Sequence, residues 1–354
     1  EIPLPKLEGC NRFIRREPLG VVLDISAWNY PLLITVNVVV PAVLAGNAVA
    51  IKHSSLTPLC AIAFEDAFRI AGAPEGLVTA LILNHQVTEN IIQSGLIQHV
   101  AFTGSVDGGK RILQSASSRF MDVGLELGGK DPAYIREDAD LESVIPRIMD
   151  GVFYNAGQSC CAVERIYVHE SILSEFIEGA IPFMNNIKID NPLDDTTDMG
   201  PIAQESGIKN INAQLKDAED KGSKIIRHPG PYPKGGKYLL PAILKNVHHG
   251  MEVMMEETFG PIVGIMGVKS DEEAISLMND SPYGLTASVW TNDAEKATKI
   301  GSLIDTGTFF MNRCDFLDPY LPWVGVKDSG RGCTLSTLGL QQLTRPKSYH
   351  LKLT

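Results

Sequence analysis

The sequence predicts an α/β protein whose first third is a doubly wound, mostly parallel sheet and whose remainder is a second α/β unit. Short runs rich in Val, Ile and Leu alternate with helical stretches up to about residue 128, as parallel strands covered on both faces should. After Gly128-Gly129 a longer helical period takes over, and the strand–helix rhythm then resumes to about residue 310. The 354 residues, 44% hydrophobic and 21% charged, suffice for two cores.

In order, Val21–Ile25, Ala48–Lys52, Leu77–Leu83, His99–Thr103 and Asp122–Leu127 read as buried strands. Helices are expected over Leu32–Leu44, Pro58–Ala71, Thr88–Ser94 and Gly108–Ser118. Sheets of this kind bind ligands at the carboxyl ends of their strands. Leu141, Val144, Ile145, Ile148, Met149, Val152 and Phe153 repeat at helical spacing, with Asp138 or Asp140 available as a cap. That helix should run out at Asn155-Ala156-Gly157. Arg165–His169 alternates as a strand, Ile172–Met184 as a helix, and Pro229–Gly236 reads as a surface loop. No internal repeat or low-complexity segment is evident.

The net charge of −11 disfavours nucleic acid and anionic membrane as partners. Gly20–Lys52 is the most apolar stretch, but Pro31, Asn37, Pro41, Gly46 and Asn47 interrupt it, which argues against a membrane span. The six cysteines lack CxxC spacing, and the eight histidines are scattered. Neither a disulfide framework nor a metal site is expected, and a reducing compartment is.

Five segments can carry chemistry. Asn155–Cys161 is a small-residue loop with Cys160 and Cys161, where an approachable backbone suits a thiolate nucleophile; two buried structural cysteines are the plainer reading. Leu125–Lys130 puts Glu126 at the end of a buried strand before two glycines. Burial there can raise its pKa towards general-base duty, although an ion pair with Lys130 would also explain it. Phe102–Lys110 joins a strand to a helix through glycines and offers N–H groups to a phosphate; it is not GxGxxG, and Arg111 breaks the P-loop pattern. Ala27–Pro31 supplies the Asn29 amide, either an oxyanion donor or a helix cap. Glu256–Pro261 supplies an acid and Phe259, either to hold a ribose and a ring or as a solvated turn with one core Phe.

Together, Trp28-Asn29, Lys52, Gly104–Gly109, Glu126–Lys130, Gln158–Cys160, Glu257–Pro261 and Lys327–Arg331 resemble the aldehyde dehydrogenase superfamily over essentially the whole chain. Glu126 and Cys160 stand 34 residues apart, an interval usual in that superfamily. The resemblance implies oxidation of an aldehyde to a carboxylic acid with NAD or NADP. Cys160 would be the nucleophile, Asn29 and the Cys160 N–H the oxyanion donors, and Glu126 the activator of the hydrolytic water. Cys161 would be dispensable. Cofactor contacts would come from Trp28, Lys52, Ser55, Gly104, Ser105, Gly109, Leu127, Glu257 and Phe259. Tyr30, Ile34, Phe153, Tyr154 and Ser159, with the Arg313–Phe316 loop, would line the substrate entrance. Arg313 there is a possible partner for a substrate carboxylate.

The resemblance also implies an organisation: a 1–16 oligomerisation arm strand, a 17–128 dinucleotide-binding domain, a 129–328 catalytic domain and a 329–354 segment returning to the first domain and the arm. A cytoplasmic homodimer or homotetramer acting on a small-molecule aldehyde, with no metal, is expected. Three departures stand out. Ser55 occupies a place where many NAD-specific members carry Glu, which predicts that NADP is tolerated. Val38 stands nine residues after Asn29, where many members have Lys. An upstream segment of the cofactor domain is expected to be missing, and any organellar targeting signal with it. The competing readings are a CoA-acylating relative, which usually lacks the Glu126 equivalent, a catalytically silent structural relative, and a P-loop phosphotransferase.

Overall fold

The computed structural model describes residues 4–231, 233 and 236–353. The chain divides into two compact units. The first comprises residues up to Leu127, Leu317–Val324 and Gly330 onward; the second comprises Gly128–Phe316 and Gly325–Ser329.

In the first unit, β1 (Cys10–Pro18) precedes β2 (Val21–Ser26), α1 (Pro31–Leu44), β3 (Ala48–His53), α2 (Pro58–Ile70) and β4 (Val78–Ala80). Next come α3 (His85–Gln93), β5 (His99–Thr103), α4 (Val106–Ala116) and β6 (Asp122–Glu126). Strands run β6-β5-β2-β3-β4, all parallel. One core packs α1 and α2 around Val38, Val39, Ala42 and Ala61, and the other packs α3 and α4 around Ile92 and Ile112. Both faces are therefore covered, which is why these strands read as apolar runs. The order reverses between β2 and β5, the point at which open α/β sheets hold ligands.

The second unit holds β7 (Asp131–Ile135), α5 (Leu141–Phe153), β8 (Val163–His169), α6 (Leu173–Asn185), α7 (Glu205–Asp220), β9 (Lys224–Arg227) and β10 (Ala242–Lys245). After them come α8 (Glu252–Met255), β11 (Ile262–Val268), α9 (Asp271–Asn279), β12 (Tyr283–Gly284), β13 (Thr286–Trp290), α10 (Ala294–Gly301), β14 (Thr308–Met311) and β15 (Val326–Lys327). Its seven-stranded sheet runs β14-β13-β7-β8-β11-β10-β9, with only β9 antiparallel. Helices α5 and α6 cover one face, and α7, α9 and α10 pack into the other core. The chain then rejoins the first unit. There β16 (Gly330–Arg331) pairs antiparallel with β6, α11 (Ser336–Gln342) follows, and β17 (Thr344–Lys352) pairs antiparallel with β1 along its whole length.

Several expectations are corrected. The strand expected over Leu77–Leu83 shrinks to Val78–Ala80, the residues in register with β3, and Asn84 further on caps α3 by accepting from the Val87 N–H. Helix α4 starts two residues early, since Ser105 is its cap and accepts from Gly108. Asp140 stands at the cap position of α5 without a side-chain cap bond, and Asp138 instead accepts from Thr291, Asn292 and Arg136. Asn29 is not the cap of α1, a position held by Tyr30. The arm strand begins only at Cys10; Glu1, Ile2, Pro3 and Thr354 lie outside the described residues. So do Tyr232, Lys234 and Gly235 of the expected Pro229–Gly236 loop, whose other residues are in neither helix nor strand.

Candidate active site

Cys160 sits in a locally forced turn. Asn155, Ala156 and Gly157 all take positive φ, of 51°, 55° and 69°. For Ala156 that conformation costs about 1–2 kcal/mol. It is held from outside: a Cβ on Gly157 would stand 2.3 Å from the Gly260 carbonyl oxygen, and the Gln158 amide oxygen accepts from the Ala203 N–H at 2.9 Å. Ala162 N–H then donates to the Ser159 carbonyl at 3.2 Å, which makes Cys160 and Cys161 the central residues of a turn. Cys160 is partly exposed, whereas Ser159 and Cys161 beside it are buried.

The other loops of this unit converge on the amino ends of the strands. Gly128–Lys130 leads into β7, Ser159–Ala162 into β8 and Glu257–Pro261 into β11. The carboxyl-edge expectation applies to the sheet of the first unit; here the loops gather at the amino edge. The joint is Glu164, on β8. Its carboxylate accepts from the Lys130 ammonium at 2.7 Å and from the N–H groups of Thr258 and Phe259 at 2.7 and 2.8 Å. Lys130 thus pairs with Glu164, and not with Glu126 as an ordinary strand-end ion pair would require. The Glu257 carboxylate accepts from Gly129 N–H at 3.2 Å; burial and the nearby Glu164 push its pKa up to about 8. A Cβ on Gly128 would stand 2.4 Å from Glu257 Oε1, so a larger residue there would displace that carboxylate. Phe259 is only half-buried and has φ 52°, so it is not the core residue of the plainer reading.

In the first unit the candidate residues follow three strands at the sheet's carboxyl edge. Trp28 and Asn29 follow β2, Lys52 and Ser55 lie at and after the end of β3, and Gly104–Gly109 follow β5. Glu126 ends β6. Its carboxylate accepts from Thr334 at 2.5 Å and from Thr103 at 3.4 Å, and burial raises its pKa against the opposing pull of those bonds. It lines a cavity of this unit together with Val38, His99 and Cys333.

These residues suit a dinucleotide. Gly109 lies so close to Leu127 that a Cβ would stand 2.8 Å from its Cδ2, so the first turn of α4 stays bare beside the reversal point of the sheet. Lys52 is buried, burial lowers its pKa, and among the described residues no carboxylate pairs with it. Such an amine wants a hydroxyl or an anion to bond.

Of the expected entrance residues, Phe153 is buried in the second unit's core, Tyr154 and Arg313 are exposed, and Tyr30 and Ile34 are half-buried. The Arg313 guanidinium lies over the Phe316 ring, 3.2 Å from its centroid. Glu164, Asp315 and Thr334 were not singled out from the sequence. Glu164 lies beside Arg165 in β8 and carried no distinct signal; Asp315 falls in the Arg313–Phe316 loop that the resemblance places at the entrance, and Thr334 had no signal.

The Aldehyde dehydrogenase family profile matches residues 2–349. The chain belongs to the aldehyde dehydrogenase family. It is 36% identical to an aldehyde dehydrogenase of Paenarthrobacter nicotinovorans, over 98% of this chain and 76% of that protein. It is 34% identical to a succinate-semialdehyde dehydrogenase [NADP(+)] of Deinococcus radiodurans, over 98% of this chain and 72% of that one. Among solved structures it is similar to betaine aldehyde dehydrogenase from Staphylococcus aureus in complex with NAD+. There the TM-score is 0.94 at 31% identity, covering 100% of this chain and 71% of that one. Family members of similar identity include enzymes named mitochondrial and peroxisomal. Among the described residues no helix is long and apolar enough to cross a membrane.

Proposed function

We propose that this family member oxidises an aldehyde to a carboxylic acid with NAD+ or NADP+, using Cys160 as nucleophile. The contrast between the partly exposed Cys160 and its buried neighbours carries this reading, because a nucleophile has to be reached. The Cys160 sulfur adds to the aldehyde carbon as a thiolate. The Asn29 side-chain amide and the Cys160 backbone N–H hold the resulting oxyanion, and loss of one such donor costs about 10²–10³ in rate. The nicotinamide, when bound, accepts the hydride. A thioester then remains on Cys160, and Glu126 takes a proton from the water that hydrolyses it. Burial raises the Glu126 pKa, which makes its carboxylate a stronger base.

Lys52 and Ser55 hold the adenosine ribose, with Trp28, Gly104, Ser105, Gly109 and Leu127 around the pyrophosphate. Glu257 bonds the nicotinamide ribose, with Phe259 beside it. Ser55 is exposed and uncharged, so it does not repel a 2′-phosphate, and NADP is accepted. The ribbon of β1 and β17 is an oligomerisation arm of a homodimer or homotetramer.

A spectrophotometric panel tests the reading. Aliphatic, aromatic, amino- and carboxy-aldehydes are offered with NAD+ and NADP+, and the reduced coenzyme is followed for the native chain and for Cys160→Ala. Turnover is expected only in the native chain, and undiminished turnover in the variant rejects the mechanism.

A further inference from the structure

Two adjacent thiols pose a problem of selectivity, because an electrophile can add to either. Cys161 is 5% exposed, and its Sγ donates to Asp315 Oδ1 at 2.9 Å, with the Ser159 hydroxyl 3.6 Å away. Asp315 is itself fixed. It lies at φ 46° in a loop that begins at Asn312, which has φ 53°. The Asn312 side chain exchanges two hydrogen bonds with the Thr291 backbone, at 2.8 and 2.9 Å. Cys314 packs against α5, where a Cβ on Gly151 would stand 2.5 Å from its Sγ.

We propose that Asp315 is a positioning residue that locks the Cys161 thiol as a hydrogen-bond donor, so that Cys160 alone reacts with electrophiles. The proposal rests on the reading of Cys160 as the nucleophile. A thiol that donates to a carboxylate keeps its proton, since losing it would set a thiolate against that carboxylate. The titratable groups facing the Cys161 thiol are Cys160 from the same turn and Asp315 from its loop, both of which oppose a negative charge on it, while Asp150 from α5 acts on Asp315. The hydrogen bond with Cys160, burial and Asp315 together raise the Cys161 pKa well above the ordinary thiol range. Cys161 is therefore not a spare nucleophile.

The test is iodoacetamide alkylation of the native full chain across a pH series, mapped by peptide mass spectrometry. In this reaction the thiolate sulfur bonds to the methylene carbon and iodide leaves, so each site's label reports its thiolate and its access to the reagent, and the pH at which labelling begins reports the thiolate. The native chain should label at Cys160 and at least about tenfold more slowly at Cys161. Asp315→Asn keeps an oxygen that can accept the bond but removes the charge. Labelling of Cys161 should then rise about tenfold and begin at lower pH, while Asp315→Glu restores protection. Unchanged labelling of Cys161 in Asp315→Asn overturns the proposal. If Asp315→Asn unfolds the chain, seen as a lost melting transition with Cys314 labelled as well, Asp315→Glu decides: a protected Cys161 supports the proposal and a labelled one overturns it. The label map does not depend on turnover, so retained activity in Cys160→Ala would reject the nucleophile assignment separately.

Discussion

Glu164 and Lys130 form a buried ion pair at 2.7 Å, and the same carboxylate oxygen also accepts from the Thr258 N–H. Lys130 donates further to the Thr258 hydroxyl, at 2.8 Å. The loop before β7, strand β8 and the loop before β11 are joined through these two side chains, so neither charge can be removed without stranding the other. Lys130→Met or Glu164→Gln should cost about 3–5 kcal/mol in guanidinium unfolding. A loss below about 1 kcal/mol, typical of exposed pairs, would count against this account.

Thr334 bonds the charged form of Glu126 and so holds its pKa down, against the burial that raises it. Thr334→Val removes that support, and the pKa should climb further. The acid limb of the hydrolytic step should then move to higher pH, as read from the pH profile of kcat. A limb that stays put or moves to lower pH contradicts the assignment.

Asp24 is buried in β2, where it accepts from Ser26, and burial pushes its pKa up to about 8 from 3.8. The folded chain therefore holds a proton on Asp24 that the unfolded chain releases between about pH 4 and about pH 8. Stability due to this residue must fall as pH rises through that window. Asp24→Asn should flatten the decline, as measured by denaturation midpoints at several pH values. A slope as steep as the native one would show that the proton resides elsewhere.

Ser55→Glu would set a carboxylate where a 2′-phosphate is proposed to lie. The ratio of kcat/KM for NADP to that for NAD should drop by about tenfold or more. In the native chain the prediction is broken if NAD is preferred by about a hundredfold, which corresponds to roughly 2.7 kcal/mol.

Gly129→Ala would set a Cβ 2.4 Å from the Cys160 carbonyl oxygen, a backbone atom that cannot swing aside. Activity should fall by more than about tenfold even in samples that remain folded by circular dichroism, because displacement of the nucleophile's turn costs alignment.

The sequence made the parallel sheet of the first unit legible because its strands are covered on both faces, as adjacent Val22 and Leu23 of β2 show by packing into different cores. It also gave Cys160, Glu126 and Asn29 as candidates, through residue types set at sharp turns. Its limits were physical. Asp138 and Asp140 compete for one cap, and only tertiary contacts with Thr291 and Arg136 decide what Asp138 does. The clamp of Asp315 on Cys161 joins residues 154 apart, which no local pattern encodes. Edge strand β4 is short because only Val78–Ala80 find partners on β3, a limit set by the neighbouring strand and not by the apolar run.

The first unit is discontinuous in the chain, and this dictates an order of assembly. Strand β16 and Leu343, which fill its sheet edge and core, are synthesised only after all of Gly128–Phe316. On the ribosome, the second unit's chain is complete while the first still has an open edge beside Glu126. Pairings so distant in sequence form late and slowly. Nascent-chain protection of β6 should therefore lag behind that of β8 and β11, although β6 is made first.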